Sequence, residues 1–180
     1  MTNSDIKVWD PMVRVFHWGL VLSFAFAWIT AESWKDMHLW AGYAAAALIG
    51  FRLFWGSIGS RYARFTQFVR SPATAKNYAY AMLRGQETRY IGYNPLGGLM
   101  VLALLAGFSG TAWSGWMMTL AGYKNSNWLE EAHEFLAGFM LAMVTVHVAG
   151  VIFASVRHNE NLVRAMFTGR KHSAGPDDVS

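Results

Sequence analysis

Four stretches of this chain carry no lysine, arginine, aspartate or glutamate: Val15–Ala31, Met37–Phe51, Tyr90–Tyr123 and Phe135–Val156. A helix needs about 20 apolar residues, within a range of roughly 17 to 25, to cross about 30 Å of hydrocarbon. The stretches therefore predict four membrane spans, near residues 12–31, 37–56, 95–119 and 130–157. The second is short as an uncharged run and reaches full length only with Arg52 inside the helix, its long side chain turned inward or toward the headgroups. Only 14% of the residues are charged, against about 25% in soluble domains. The expected fold is an all-α integral membrane protein, a four-transmembrane-helix bundle forming one domain over residues 1–172, with a polar tail from about Ser173 to 180 that lacks fixed structure.

The charges that remain report orientation. Arg61, Arg64, Arg70, Lys76, Arg84 and Arg89 lie in the 57–94 connection with Glu87 as its sole acid, and Arg157, Arg164, Arg170 and Lys171 follow the fourth span. Basic loops stay in the cytoplasm, so both termini are expected there. The other two connections carry Glu32, Lys35 and Asp36, and Lys124, Glu130 and Glu131. Trp28, Trp34, Trp40, Trp113, Trp116 and Trp128 cluster at that opposite end, as an interfacial belt would. The net charge of +4 thus sets topology and is no sign of nucleic-acid binding. Asp5, Lys7, Asp10 and Arg14 give no cationic leader, so the first span is expected to be retained. In the cytoplasmic connection, Ser71 and Pro72 predict the start of a short surface helix and Gly85 its stop.

Cysteine is absent, which excludes disulfides, iron–sulfur clusters, thiolate metal sites and the covalent attachment of c-type haem. Of the six histidines, His17, His38, His133 and His147 fall within or at the ends of spans. His133 and His147, 14 residues apart, share one helix face at two depths about 21 Å apart. His17 lies near the inner end of the first span and His38 opens the second on the outer side. The levels match as His17 with His147 and His38 with His133. Two facing pairs of imidazoles are what two haems ligated on both sides require. A histidine satisfied by a neighbouring helix is the bland alternative for each, but ionisable groups inside a membrane are costly and usually functional.

Arg52 follows His38 by 14 residues, which puts it on the same face at the inner level, where a cation meets haem propionates or simply anchors the helix. Ala103, Gly107, Gly110 and Ser114 put small residues along one face of the third span, suited to a macrocycle or to close helix packing. His158 is displaced from His147 by about 20° and 16 Å toward the cytoplasm and is a candidate proton donor to a quinone. His172 belongs to a basic tail.

Several segments resemble the bacterial cytochrome b561 family, which includes the b-type cytochrome subunits of nickel–iron hydrogenases: Val8-Trp9-Asp10-Pro11 leading into Arg14-Val15-Phe16-His17-Trp18, His38-Leu39-Trp40-Ala41-Gly42-Tyr43, Phe51-Arg52-Leu53-Phe54-Trp55-Gly56, Glu131-Ala132-His133-Glu134 and His147-Val148-Ala149-Gly150. The resemblance covers about residues 7–171. It implies two noncovalent protohaems, one on His17 and His147, the other on His38 and His133. It also implies a bacterial inner-membrane protein that exchanges electrons with ubiquinone or menaquinone and with a periplasmic c-type cytochrome or hydrogenase-like protein. A relay of this kind is the leading expectation, with room for a homodimer. A self-contained superoxide:quinone oxidoreductase is one alternative, and a cofactor-free transporter or scaffold is another of a different class.

Overall fold

The computed structural model describes residues 5–173, 175, 178 and 179. Four helices are long and apolar enough to span a membrane: α1 (Pro11–Thr30), α2 (Lys35–Ile58), α5 (Pro95–Met117) and α6 (Asn127–Arg157). Three short ones, α3 (Phe65–Phe68), α4 (Pro72–Leu83) and α7 (Leu162–Thr168), complete the α-helices among the described residues, and a 3-10 turn covers Arg61–Ala63. The spans match those expected from the uncharged stretches to within three residues at each end, because charge and helix caps mark the same boundaries.

Helix starts share one grammar. The Ser71 side chain accepts from the Thr74 amide at 3.2 Å, with Pro72 in the first helical position. Asp10 before Pro11 accepts from the Val13 amide at 2.8 Å, and Asn94 before Pro95 from the Gly97 amide at 2.6 Å. Each cap satisfies an amide that the first turn leaves unpaired, while proline has none to lose. Helix α4 stops at Gly85, which adopts φ of 68°.

The chain divides into two compact units. The first contains residues 1–14, 54–102 and 147–180. Its core joins Val8, Trp9 and Val13 to Ala63, Ile91 and Ala165. Strand β1 (Ile6–Lys7) pairs antiparallel with β2 (Arg170–Lys171), and the carbonyl of left-handed Gly169 (φ 79°) accepts from the Val8 and Trp9 amides at 2.9 and 3.1 Å. The buried carboxylate of Glu160 bonds Arg89 at 3.1 Å, Lys171 at 3.4 Å and the His172 amide at 2.9 Å. Of the tail after Ser173, Asp178 pairs with Arg89 and the Val179 carbonyl accepts from the Ile91 amide at 2.9 Å. Residues 174, 176, 177 and 180, the rest of the stretch expected to lack structure, lie outside the described residues.

The second unit contains residues 15–53 and 103–146. The small-residue stripe of α5 packs on α6: a Cβ on Gly107 would overlap the Met140 sulfur, and one on Gly110 would meet Leu136 at 3.7 Å. Close approach of backbones is the usual way helices associate where lipid removes the hydrophobic drive. All six tryptophans of the expected belt are exposed, as residues facing headgroups must be.

Candidate functional site

Helices α1 and α2 are joined by only four residues, 31–34, so the first turn of α2 returns beside the last turn of α1. The last four carbonyls of a helix have no intrahelical partner. His38 uses one of them: its Nδ1 lies 2.8 Å from the Ala27 carbonyl oxygen. A carbonyl only accepts, so Nδ1 is the donor, and in the neutral ring the lone pair is then on Nε2.

His133, in the second turn of α6, is held in the same way by α5. Its Nδ1 is 3.1 Å from the Thr111 carbonyl and 2.9 Å from Ser114 Oγ. The Ser114 hydroxyl donates to that same carbonyl at 2.9 Å, so toward His133 it acts as an acceptor. Gly115 leaves the space for the ring, since a Cβ there would stand 3.0 Å from His133 Cε1. The sequence pattern did not reveal Ala27, Thr111 or Ser114 as partners. The hydroxyl in an otherwise apolar stripe was the one available signal.

The His38 and His133 rings lie beside each other, edge to face. Their ring centroids are 6.0 Å apart with the planes at 84°. An imidazole nitrogen binds a metal at about 2.0–2.1 Å and stands roughly 1 Å in front of its ring centroid, so two imidazoles on opposite sides of one metal have centroids about 6 Å apart. With Nδ1 of each ring beside a carbonyl, Nε2 is the nitrogen by which either imidazole could bind a haem iron, and the centroid separation is compatible with both doing so. Among the described residues, no three His, Cys, Asp or Glu converge as a metal site.

The profile of the prokaryotic cytochrome b561 family matches residues 8–169. The chain belongs to that family. No curated protein and no solved structure matches it. A member of the cytochrome b561 family is a helical membrane protein that binds b-type haem and transfers electrons, and a facing histidine pair suits that cofactor.

The other expected site residues occupy varied settings. Arg52 is 1% exposed, and its guanidinium lies 6.0 Å from the Phe16 ring, next in sequence to His17. The arginine is thus turned inward, one of the two dispositions that its position in an apolar stretch allows. The His17 ring meets Trp18 edge-on at 5.1 Å. His147 lies in the part of α6 that belongs to the first unit. His158 stands one residue past the end of α6, its amide bonded to the Ala154 carbonyl at 3.1 Å.

Proposed function

We propose that this cytochrome is a di-haem relay that carries electrons between a periplasmic redox partner and the quinone pool of the bacterial inner membrane. The observation that carries the reading is the His38–His133 pair, 6.0 Å between centroids, with both rings fixed by carbonyls in the tautomer that ligates through Nε2. Haem b held by His38 and His133 would supply one-electron redox chemistry, with two histidine nitrogens taking the places on the iron that a substrate would need. His17 and His147 are the proposed ligands of the second haem, from their matched depths in the first and fourth spans. The Arg52 cation compensates the propionates of that inner haem. His158 is the proposed proton donor near a quinone.

Residues 1–172 act in this reading as one cytochrome domain with both termini in the cytoplasm, as the basic 57–94 connection favours. The pair His38 and His133 then lies toward the periplasm, where a soluble partner approaches. The test is a pyridine haemochrome assay on the purified chain. Two noncovalent protohaems per chain are expected, and a colourless protein would end the reading. Rapid quinone reduction by superoxide, with no partner protein present, would replace the relay by a self-contained oxidoreductase.

A further inference from the structure

The two imidazoles of the facing pair are not held alike. His38 Nδ1 has the Ala27 carbonyl as its acceptor, which also receives the Thr30 hydroxyl at 3.3 Å. His133 Nδ1 has two, the Thr111 carbonyl and Ser114 Oγ. Ser114 is buried, and its hydroxyl proton is already committed to Thr111. That donation polarises Oγ and makes it a better acceptor for the imidazole N–H. Gly115 in the next position closes the ring against the α5 backbone. Thr111, Ser114 and Gly115 therefore form one seat for the non-ligating edge of His133.

We infer that Ser114 is a positioning residue that sets the donor strength of His133 and thereby lowers the reduction potential of the haem held by His38 and His133. This inference rests on the haem reading of that pair. Partners on the second nitrogen of a ligating histidine fix its tautomer and orientation and raise its basicity. A more basic axial nitrogen stabilises the ferric state over the ferrous one, so a hydrogen bond at Nδ1 lowers the potential. In dry surroundings such a bond is stronger than the same contact in water. The serine thus does more than let two helices approach, since alanine would serve that purpose equally well.

The experiment compares Ser114→Ala and Ser114→Thr with the parent chain by haem count and by spectroelectrochemical titration of each haem. Removing the hydroxyl in Ser114→Ala should leave two haems per chain and raise one of the two midpoint potentials, while the other stays in place. A tenfold change in the ferric-to-ferrous balance corresponds to about 59 mV for a one-electron couple, and a shift of up to that size is expected. Ser114→Thr keeps the hydroxyl and should remain near the parent value. If Ser114→Ala instead loses one haem and Ser114→Thr retains it, the hydroxyl is needed to hold the ligand, which also supports a positioning role. Two unchanged potentials in a fully loaded Ser114→Ala chain, or equal defects in both variants, would overturn the inference. A parent chain without haem would overturn the reading beneath it, and the count separates that result from the others.

Discussion

Polar groups are held by different means in the two units. In the first, charge meets charge: Arg89 and Lys171 converge on Glu160, Arg89 also takes Asp178, and Arg157 bonds Glu87 at 2.6 Å. The second unit, residues 15–53 and 103–146, relies on another kind of contact. There, polar side chains turn to backbone oxygens, as His38 does to Ala27, His133 to Thr111, Thr30 to Phe26 at 2.7 Å and Ser109 to Leu105 at 2.7 Å. The physical reason is the solvent. Where water reaches, charged loops remain soluble and a few buried ions are compensated by partners; in hydrocarbon a charge is expensive, and helix carbonyls are the acceptors at hand. An imidazole whose Nδ1–H donates to a carbonyl has, in its neutral form, Nε2 left over for a metal.

The largest effect should come from breaking the second arrangement at its ligands. His38→Ala and His133→Ala should each remove the same haem and leave the other, so both variants keep part of the b-type spectrum and resemble each other in a haemochrome assay. His17→Ala and His147→Ala should form the other matching pair. If His17→Ala matched His133→Ala instead, the proposed levels would be wrong.

The four spans were legible because charge, length and helical period are properties of residue type. Ser71-Pro72 could be read for the same reason, and Asp10-Pro11 and Asn94-Pro95 carry the same cap. The seats of the two histidines were not legible, since Ala27 and Thr111 contribute carbonyls that every residue possesses. Ser114 read as a small residue in a packing stripe, and the stripe does pack on Met140 and Leu136, but the hydroxyl adds a contact that spacing does not encode. The pairing of Ile6–Lys7 with Arg170–Lys171 was hidden as well. Two-residue strands have no period, and their register is fixed by Gly169 and Glu160, which lie far from the N-terminus in sequence.

The next effect concerns the ion network. Glu160 and Lys171 are each about 5% exposed, and removing one partner of a buried pair typically costs about 3–5 kcal/mol. Glu160→Ala should therefore loosen the pairing of the chain ends, seen as faster hydrogen exchange at the Val8 and Trp9 amides, with the haem of His38 and His133 retained. Burial alone would push the Glu160 carboxyl up, but Lys171, the His172 amide and Arg89 outweigh it and hold the pKa below the ordinary carboxylate value. A depressed folded value means that the carboxylate stabilises the fold above the unfolded value of about 4.3 and that this contribution is lost as pH falls through the folded one. Protection of the Val8 and Trp9 amides, taken relative to the intrinsic exchange rate at each pH, should fall in that acid window, and protection that does not change with pH would contradict the network.

A smaller effect is expected at Asp10, where one carboxylate serves both a helix cap and a loop. Its Oδ1 accepts from Val13 at 2.8 Å, and its Oδ2 accepts from Trp55 at 3.2 Å and from the Ser60 hydroxyl. Asp10→Ala should cost about 1 kcal/mol for the cap. Asp10→Asn should cost less, because asparagine caps about as well. Thermal unfolding in detergent ranks the two, and equal losses would assign the effect to the charge instead.

The smallest effect tests whether the proposed outer face, sparing in charge as it is, guides a partner. Glu130 and Glu131 are exposed on the first turns of α6, near His133 in sequence. With Glu32 and Asp36 they outnumber Lys35 and Lys124 on the connections at that end. A mildly negative face attracts a partner with a basic patch, and screening over about 8–10 Å at physiological salt weakens that attraction. Exposed charges contribute little to folding, so replacing Glu130 and Glu131 with lysine should leave haem content intact. Reduction by the native partner should slow several-fold at low salt and recover toward the parent rate as salt rises. Reduction by an uncharged small reductant should not change, because it needs no docking face. Equal slowing with both reductants would place the effect inside the protein, and no slowing with the partner would mean that docking occurs elsewhere.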